Sequence, residues 1–100
     1  MARLDVHPMP GRRVGYIVDV QAGLLSDLST RVVVPLLPEE SAPKPISELN
    51  PSFEILGKRH ILVTQAIASI SRRELKRAVA SLTAHHDRIT RALDVLLIGF

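Results

Sequence analysis

The side chains able to do chemistry in this chain are few, and their spacing limits what they can do. His85 and His86 are adjacent and are followed by Asp87. Neighbours on a helix diverge by about 100°, whereas two helical ligands for one metal need i, i+3 or i, i+4 spacing. They read as two surface histidines, and no metal site is expected. His7 and His60 stand alone and are expected in a loop and in a hairpin. None of the serines or threonines lies in a G-x-S-x-G elbow, and there is no glycine-rich phosphate loop. Thr30–Arg31 could in principle steady a phosphoryl transition state, although an arginine at a strand start is commonly structural or solvated. The absence of cysteine excludes disulfides and thiolate metal sites, and fits a cytoplasmic protein.

With 100 residues there is room for one domain, 1–100, and one core. At 46% hydrophobic and 23% charged, the composition is that of a globular chain. No apolar run approaches a membrane span, and the first residues do not resemble a signal peptide. The net charge of +3 arises entirely within residues 71–100, where Arg72, Arg73, Lys76, Arg77, Arg88 and Arg91 outnumber Glu74, Asp87 and Asp94. Such a segment suits nucleic acid, an acidic partner or plain solvent. Aromatic residues are not interleaved with it, so base stacking is poorly provided for.

The elements that must position these residues follow from periodicity. "RLDV" alternates as a first strand, and "HPMPGRR" breaks it. In "VGYIVDVQ", Val14, Tyr16, Val18 and Val20 share one face and Asp19 points the other way. "RVVVPL" suits a buried strand that ends or meets an edge at Pro35. "LPEESAPKPISELNP" is a long irregular loop in which "ISEL" can form a helical turn. "FEILGKRHILVT" reads as a hairpin turning at Gly57–Lys58–Arg59. Ser71 and Glu74 form an S-x-x-E capping box, and Thr83 is the expected N-cap of a last helix.

That helix ends the sequence as "ALDVLLIGF", Ala92 to Phe100, an apolar finish where polar residues are usual. On a helical wheel, Ile89, Ala92, Leu93, Leu96, Leu97 and Phe100 form one stripe that should lie on the sheet. Asp87, Arg91 and Asp94 are spaced to make a ladder of ion pairs on the other side. Ile98 falls on that polar side, in water unless a partner covers it. Leu24 and Leu25, in the connection before "RVVVPL", either fold back as a plug or face a partner.

Taken in order, "VDVQ" (Val18 to Gln21), the loop with paired leucines, "TRVVVPL" (Thr30 to Leu36), "LNP" (Leu49 to Pro51), more loosely "LVTQ" (Leu62 to Gln65), and the terminal "ALDVLLIGF" resemble the CcdB-type toxins. The resemblance runs almost from end to end. It implies a mainly β, α+β fold: an SH3-like antiparallel sheet or barrel of the CcdB/MazF type with a C-terminal helix, present as a homodimer. It implies no catalytic activity and no cofactor. The family's toxin enters the DNA gyrase A-subunit dimer, traps the cleaved-DNA complex, and is neutralised by a cognate, CcdA-like antitoxin. Direct sequence-specific nucleic-acid binding and membrane association are not implied.

Carried over by position, the gyrase contacts fall on Asp94, Ile98, Gly99 and Phe100, and the antitoxin contacts on Leu24 and Leu25. This chain departs from the family pattern at two of these places. Ile98 replaces an aromatic residue before the glycine, and an isoleucine cannot stack on a guanidinium. Asp94 stands where an uncharged amide can occur. The resemblance also favours a strand near Ala68 to Ser71 over the helix suggested by the capping box. Two rival readings remain: a MazF-type endoribonuclease using Thr30 and Arg31, and a non-toxic relative that only binds antitoxin.

Overall fold

Short β-branched runs punctuated by proline and glycine make strands β1 (Asp5–Pro8), β2 (Tyr16–Asp19), β3 (Thr30–Pro38), β4 (Ser52–Ile55), β5 (Lys58–Leu62), β6 (Ala68–Ser71) and β7 (Ala80–Ser81). One helix, α1 (His86–Leu97), follows. The computed structural model describes residues 2–99. All strand pairings are antiparallel, in the order β4-β5-β3-β2-β1-β7, with β6 also paired to β3. The sheet curls into a nearly closed barrel with the helix at its C-terminal end, the α+β architecture expected.

β3 organises the sheet. Its first half, Thr30 to Val33, pairs with β6, and Leu36 to Pro38 pairs with β5. Pro35 does not end this strand as expected. Its carbonyl accepts the Val63 N–H at 2.8 Å. The N and O of one strand residue face the same side, so the missing N–H of Pro35 falls in the gap between β5 and β6. No ladder bond is lost there.

The inner face gathers Val6, Val18, Val34, Leu36, Phe53, Ile55 and Leu62, closed over by Leu82, Ile89 and Ala92. Of the face expected for β2, Val18 and Val20 are buried but Val14 is exposed, because the strand begins only after Gly15. Gly15 has φ +106°, and a Cβ there would lie 2.9 Å from the Leu36 carbonyl oxygen. The opposite face of β2 is covered too, with Ile17 and Asp19 buried. His7 belongs to this covered face, not to a loop. It is buried on β1 with Nδ1 2.7 Å from the Lys76 carbonyl. Lys76 Nζ donates to the Gly11 carbonyl at 3.2 Å, tying together the two loops over that face. His60 is buried on β5, edge-on to Tyr16 with ring centroids 5.2 Å apart.

The β4–β5 hairpin turns at Leu56–Gly57, earlier than the glycine–lysine–arginine reading. Both residues have positive φ, 51° and 82°, as a two-residue type I′ turn requires. Lys58 and Arg59 are therefore strand residues, and they pair with Glu40 and Glu39 at 2.6 and 2.9 Å. The Lys58 hydrogen bond holds the exposed Glu40 carboxyl below the ordinary carboxylate range. In the long loop, the Asn50 N–H reaches the Ile46 carbonyl at 2.9 Å, so "ISEL" turns, but Glu48 has φ 67° and the turn is not the helical one expected.

The strand expected from Ala68 to Ser71 is present, and the capping signal after it yields a single 3-10 turn, Arg72–Glu74. Ser71 Oγ accepts the Arg73 N–H at 3.3 Å, so the serine caps a turn that simply does not propagate. Thr83 is not the N-cap of the last helix. It opens a 3-10 turn, Thr83–His85, and α1 starts at His86.

Candidate functional site

The helix buries only the first part of its apolar stripe. Ile89 and Ala92 are fully buried, while Leu93 and Leu96 are half-buried. Leu97, expected on the sheet, is 71% exposed, and Ile98 beyond it is 60% exposed. The end of α1 therefore projects past the core, with Leu97 and the adjoining Ile98 in solvent. Phe100, the remaining member of the stripe, lies outside the described residues.

Backbone bonds organise this projecting end. The Asp94 carbonyl accepts both the Ile98 N–H at 2.8 Å and the Gly99 N–H at 3.0 Å. Gly99 has φ +97°, and a Cβ built on it would meet nothing within 4 Å. Glycine is thus required by conformation and not by space. Asp94, Ile98 and Gly99 are brought together in one cap, with the Asp94 side chain half-buried beside it.

The ion-pair ladder Asp87–Arg91–Asp94 does not form. Arg91 Nη2 instead donates to Glu48 Oε2 at 3.1 Å, because the turn after Ile46 brings an acceptor from outside the helix. Arg88 reaches the Ser52 carbonyl at 2.9 Å, with its guanidinium 4.5 Å above the Phe53 ring. Glu48, Pro51, Asp87, Arg88 and Arg91 line a shallow cleft of about 360 Å³ along this side of the helix. Glu48 is 43 residues before Arg91, so only the fold could reveal that pair.

Leu24 and Leu25 stand on another element, the 3-10 turn Gly23–Leu25 between β2 and β3. They are not a plug. Leu24 is 92% exposed, and no residue of the turn is buried. The turn is held through Gln21, whose Nε2 donates to the Leu25 carbonyl at 2.9 Å. Gln21 Oε1 accepts the Val32 N–H at 3.0 Å, and its own N–H donates to Asp19 Oδ1 at 3.1 Å.

Asp19 Oδ2 in turn takes Arg31 Nε at 3.0 Å and lies 2.7 Å from Arg31 Nη2, with both side chains sealed from solvent. Arg31 Nη1 is buried without a hydrogen-bond partner. Arg31, expected to be structural or solvated, is the buried partner of Asp19. The signal for this pair is alternation: Arg31 is on the same side of β3 as Val33, the residue registered opposite Asp19.

Among the described residues, no group of three or more His, Asp or Glu is placed to hold a metal ion. No described helix is long and apolar enough to cross a membrane. A small antiparallel barrel with an apolar helix end and a leucine-bearing turn in solvent has the form of a protein-binding module. The family model described as CcdB protein matches residues 3–99, nearly the whole chain, and the chain belongs to the CcdB family. It is, at that level, a toxin of a toxin–antitoxin system. No curated protein matches the chain.

Proposed function

We propose that this toxin poisons DNA gyrase: a homodimer binds the A subunit through the C-terminal end of α1 and traps the cleaved-DNA complex. The observation that carries this reading is the projecting helix end, where Leu97 and Ile98 are in water on an ordered cap. Asp94, Ile98, Gly99 and Phe100 form the contact, with Leu97 added to them. A two-fold dimer presents two such ends to a two-fold enzyme, so each meets an equivalent site. Poisoning needs differential affinity: the dimer must bind gyrase holding cleaved DNA more tightly than gyrase holding resealed DNA.

Leu24 and Leu25 are the contact for a CcdA-like antitoxin, a disordered segment that orders as it binds. The action is in the cytoplasm, where gyrase works. The MazF-type reading has lost its first suspect. Arg31 is buried against Asp19 and cannot meet a phosphate without breaking that pair. The non-toxic, antitoxin-binding reading is separated from this one by the gyrase assay below.

The test is incubation with gyrase from the source organism, supercoiled plasmid and ATP, followed by denaturation. Linear DNA should accumulate with the toxin and vanish with Ile98→Glu, a substitution at an exposed site that leaves the fold intact. Absence of linear product with the unmodified toxin would sink the proposal. RNA cleavage by the protein alone would replace it with the endoribonuclease.

A further inference from the structure

We propose that Gln21 is a positioning residue that fixes the Gly23–Leu25 turn, and with it Leu24, in its outward geometry before any partner arrives. The proposal rests on reading Leu24 and Leu25 as the antitoxin contact. Three observations carry it: what the turn lacks, what Gln21 supplies, and what stands behind Gln21.

The turn has no apolar anchor, since none of Gly23, Leu24 and Leu25 is buried. Its internal bonds, Leu25 N–H to the Ala22 carbonyl at 2.9 Å and Ser26 N–H to the Gly23 carbonyl at 3.1 Å, shape it without attaching it to the sheet. A side chain as exposed as Leu24 gains by collapsing onto any nearby apolar surface. With no packing to fix it, the outward geometry of the turn rests on its polar bonds.

Gln21 attaches the turn by acting as an extra rung of the sheet. β2 ends at Asp19, and after Val20 its main chain leaves β3. The Gln21 side-chain amide has the donor and acceptor of a peptide group, and both are used. Its oxygen takes the Val32 N–H, and its nitrogen grips the Leu25 carbonyl. That carbonyl also accepts the Leu28 N–H at 3.1 Å, so one atom joins the turn, the following residues and the sheet. Gln21 is only 6% exposed, which keeps water from competing for these bonds.

Behind Gln21, the Asp19 carboxylate accepts its main-chain N–H and is itself clamped by Arg31. The chain of bonds thus runs from the middle of the sheet to the leucine turn. On this account the toxin surface is preorganised, and the ordering cost of complex formation falls on the antitoxin segment.

Amide hydrogen exchange on the full chain tests this. Gln21→Met keeps the length and burial of the side chain but removes both amide bonds. It should speed exchange at Leu25 and Leu28 by about tenfold relative to the change at Val34 and Leu36. Equal acceleration at all four positions would mean that Gln21 only stabilises the whole fold, and would overturn the proposal. Gln21→Asn provides a second route if the methionine variant does not fold. It keeps a neutral amide but is one methylene shorter, too short to span the Val32 N–H and the Leu25 carbonyl, so the turn should loosen relative to Val34 and Leu36; unchanged Leu28 exchange would again overturn the role. Leu24→Ala separates this from the underlying reading. It should leave exchange in the turn unaltered while reducing rescue of toxin-expressing cells by a co-expressed CcdA antitoxin. Full rescue would reject the antitoxin contact and leave the exchange result to judge Gln21.

Discussion

Asp19 and Arg31 are the buried charges of the fold whose loss is most easily read. Each is sealed from water, and Arg31 Nη1 recovers none of its desolvation cost. Removing one partner strands the other charge. Asp19→Ala or Arg31→Ala should each cost about 3–5 kcal/mol in urea unfolding. Asp19→Leu combined with Arg31→Met should cost clearly less than the sum of those two substitutions made singly, because no unpaired charge remains. Additive losses would show that the pair is not coupled. The alternation of β2 correctly separated Asp19 from Val18 and Val20. It did not say what the Asp19 side meets, because a single strand does not reveal that both of its faces are covered.

At the level of elements, α1 divides into a part that holds the barrel closed and a part that serves an encounter. Ile89 is fully buried, so Ile89→Ala should cost about 2–5 kcal/mol. Leu97→Ala should change stability by less than about 0.5 kcal/mol and still weaken gyrase poisoning. Equal destabilisation by the two, read from thermal melts, would refute the division. The β4–β5 hairpin has a different local defect. Leu56 is 74% exposed and has φ 51°, a left-handed conformation that disfavours leucine. Leu56→Asn should stabilise the protein by roughly 1 kcal/mol, since Asn-Gly is a preferred pair for this turn. A lowered unfolding midpoint would contradict the turn assignment. The hairpin itself was legible from two apolar runs around Gly57. Its register was not, because the glycine can occupy either turn position.

For the whole molecule, the proposed homodimer needs a surface that a second copy can meet, and the free edge of β6 supplies one. The Val32 carbonyl faces β2, so Arg31 and Val33 face β6 and bond with Ile70 and Ala68. The main-chain groups of Ser69 then point away from β3. Ala68 to Ser71 carries no charge, proline or bulge to blunt this edge, the usual protections of a solitary strand. If two copies pair along it, the sheet continues across a two-fold axis. Ser69→Pro removes an outward N–H without touching the β3 ladder and should shift sedimentation from dimer toward monomer. An unchanged dimer would place the interface elsewhere.

The sequence by itself determined most of the strands and the amphipathic last helix, which are local patterns. Motifs in order from Val18 to Phe100 gave the resemblance to the CcdB type, and that resemblance implied the class of fold. The sequence also singled out Ile98 as an apolar residue on a polar helix face. Only the tertiary structure decided where the helix leaves the sheet, and hence that Leu97 joins Ile98 in solvent. It alone decided that Leu24 and Leu25 face outward, that Arg91 turns to Glu48, and that Asp19 and Arg31 are sealed together. The physical reason is common to these cases. Burial, and the choice of partner for a polar group, depend on what a distant segment of chain brings alongside, and periodicity describes only the residues of one segment.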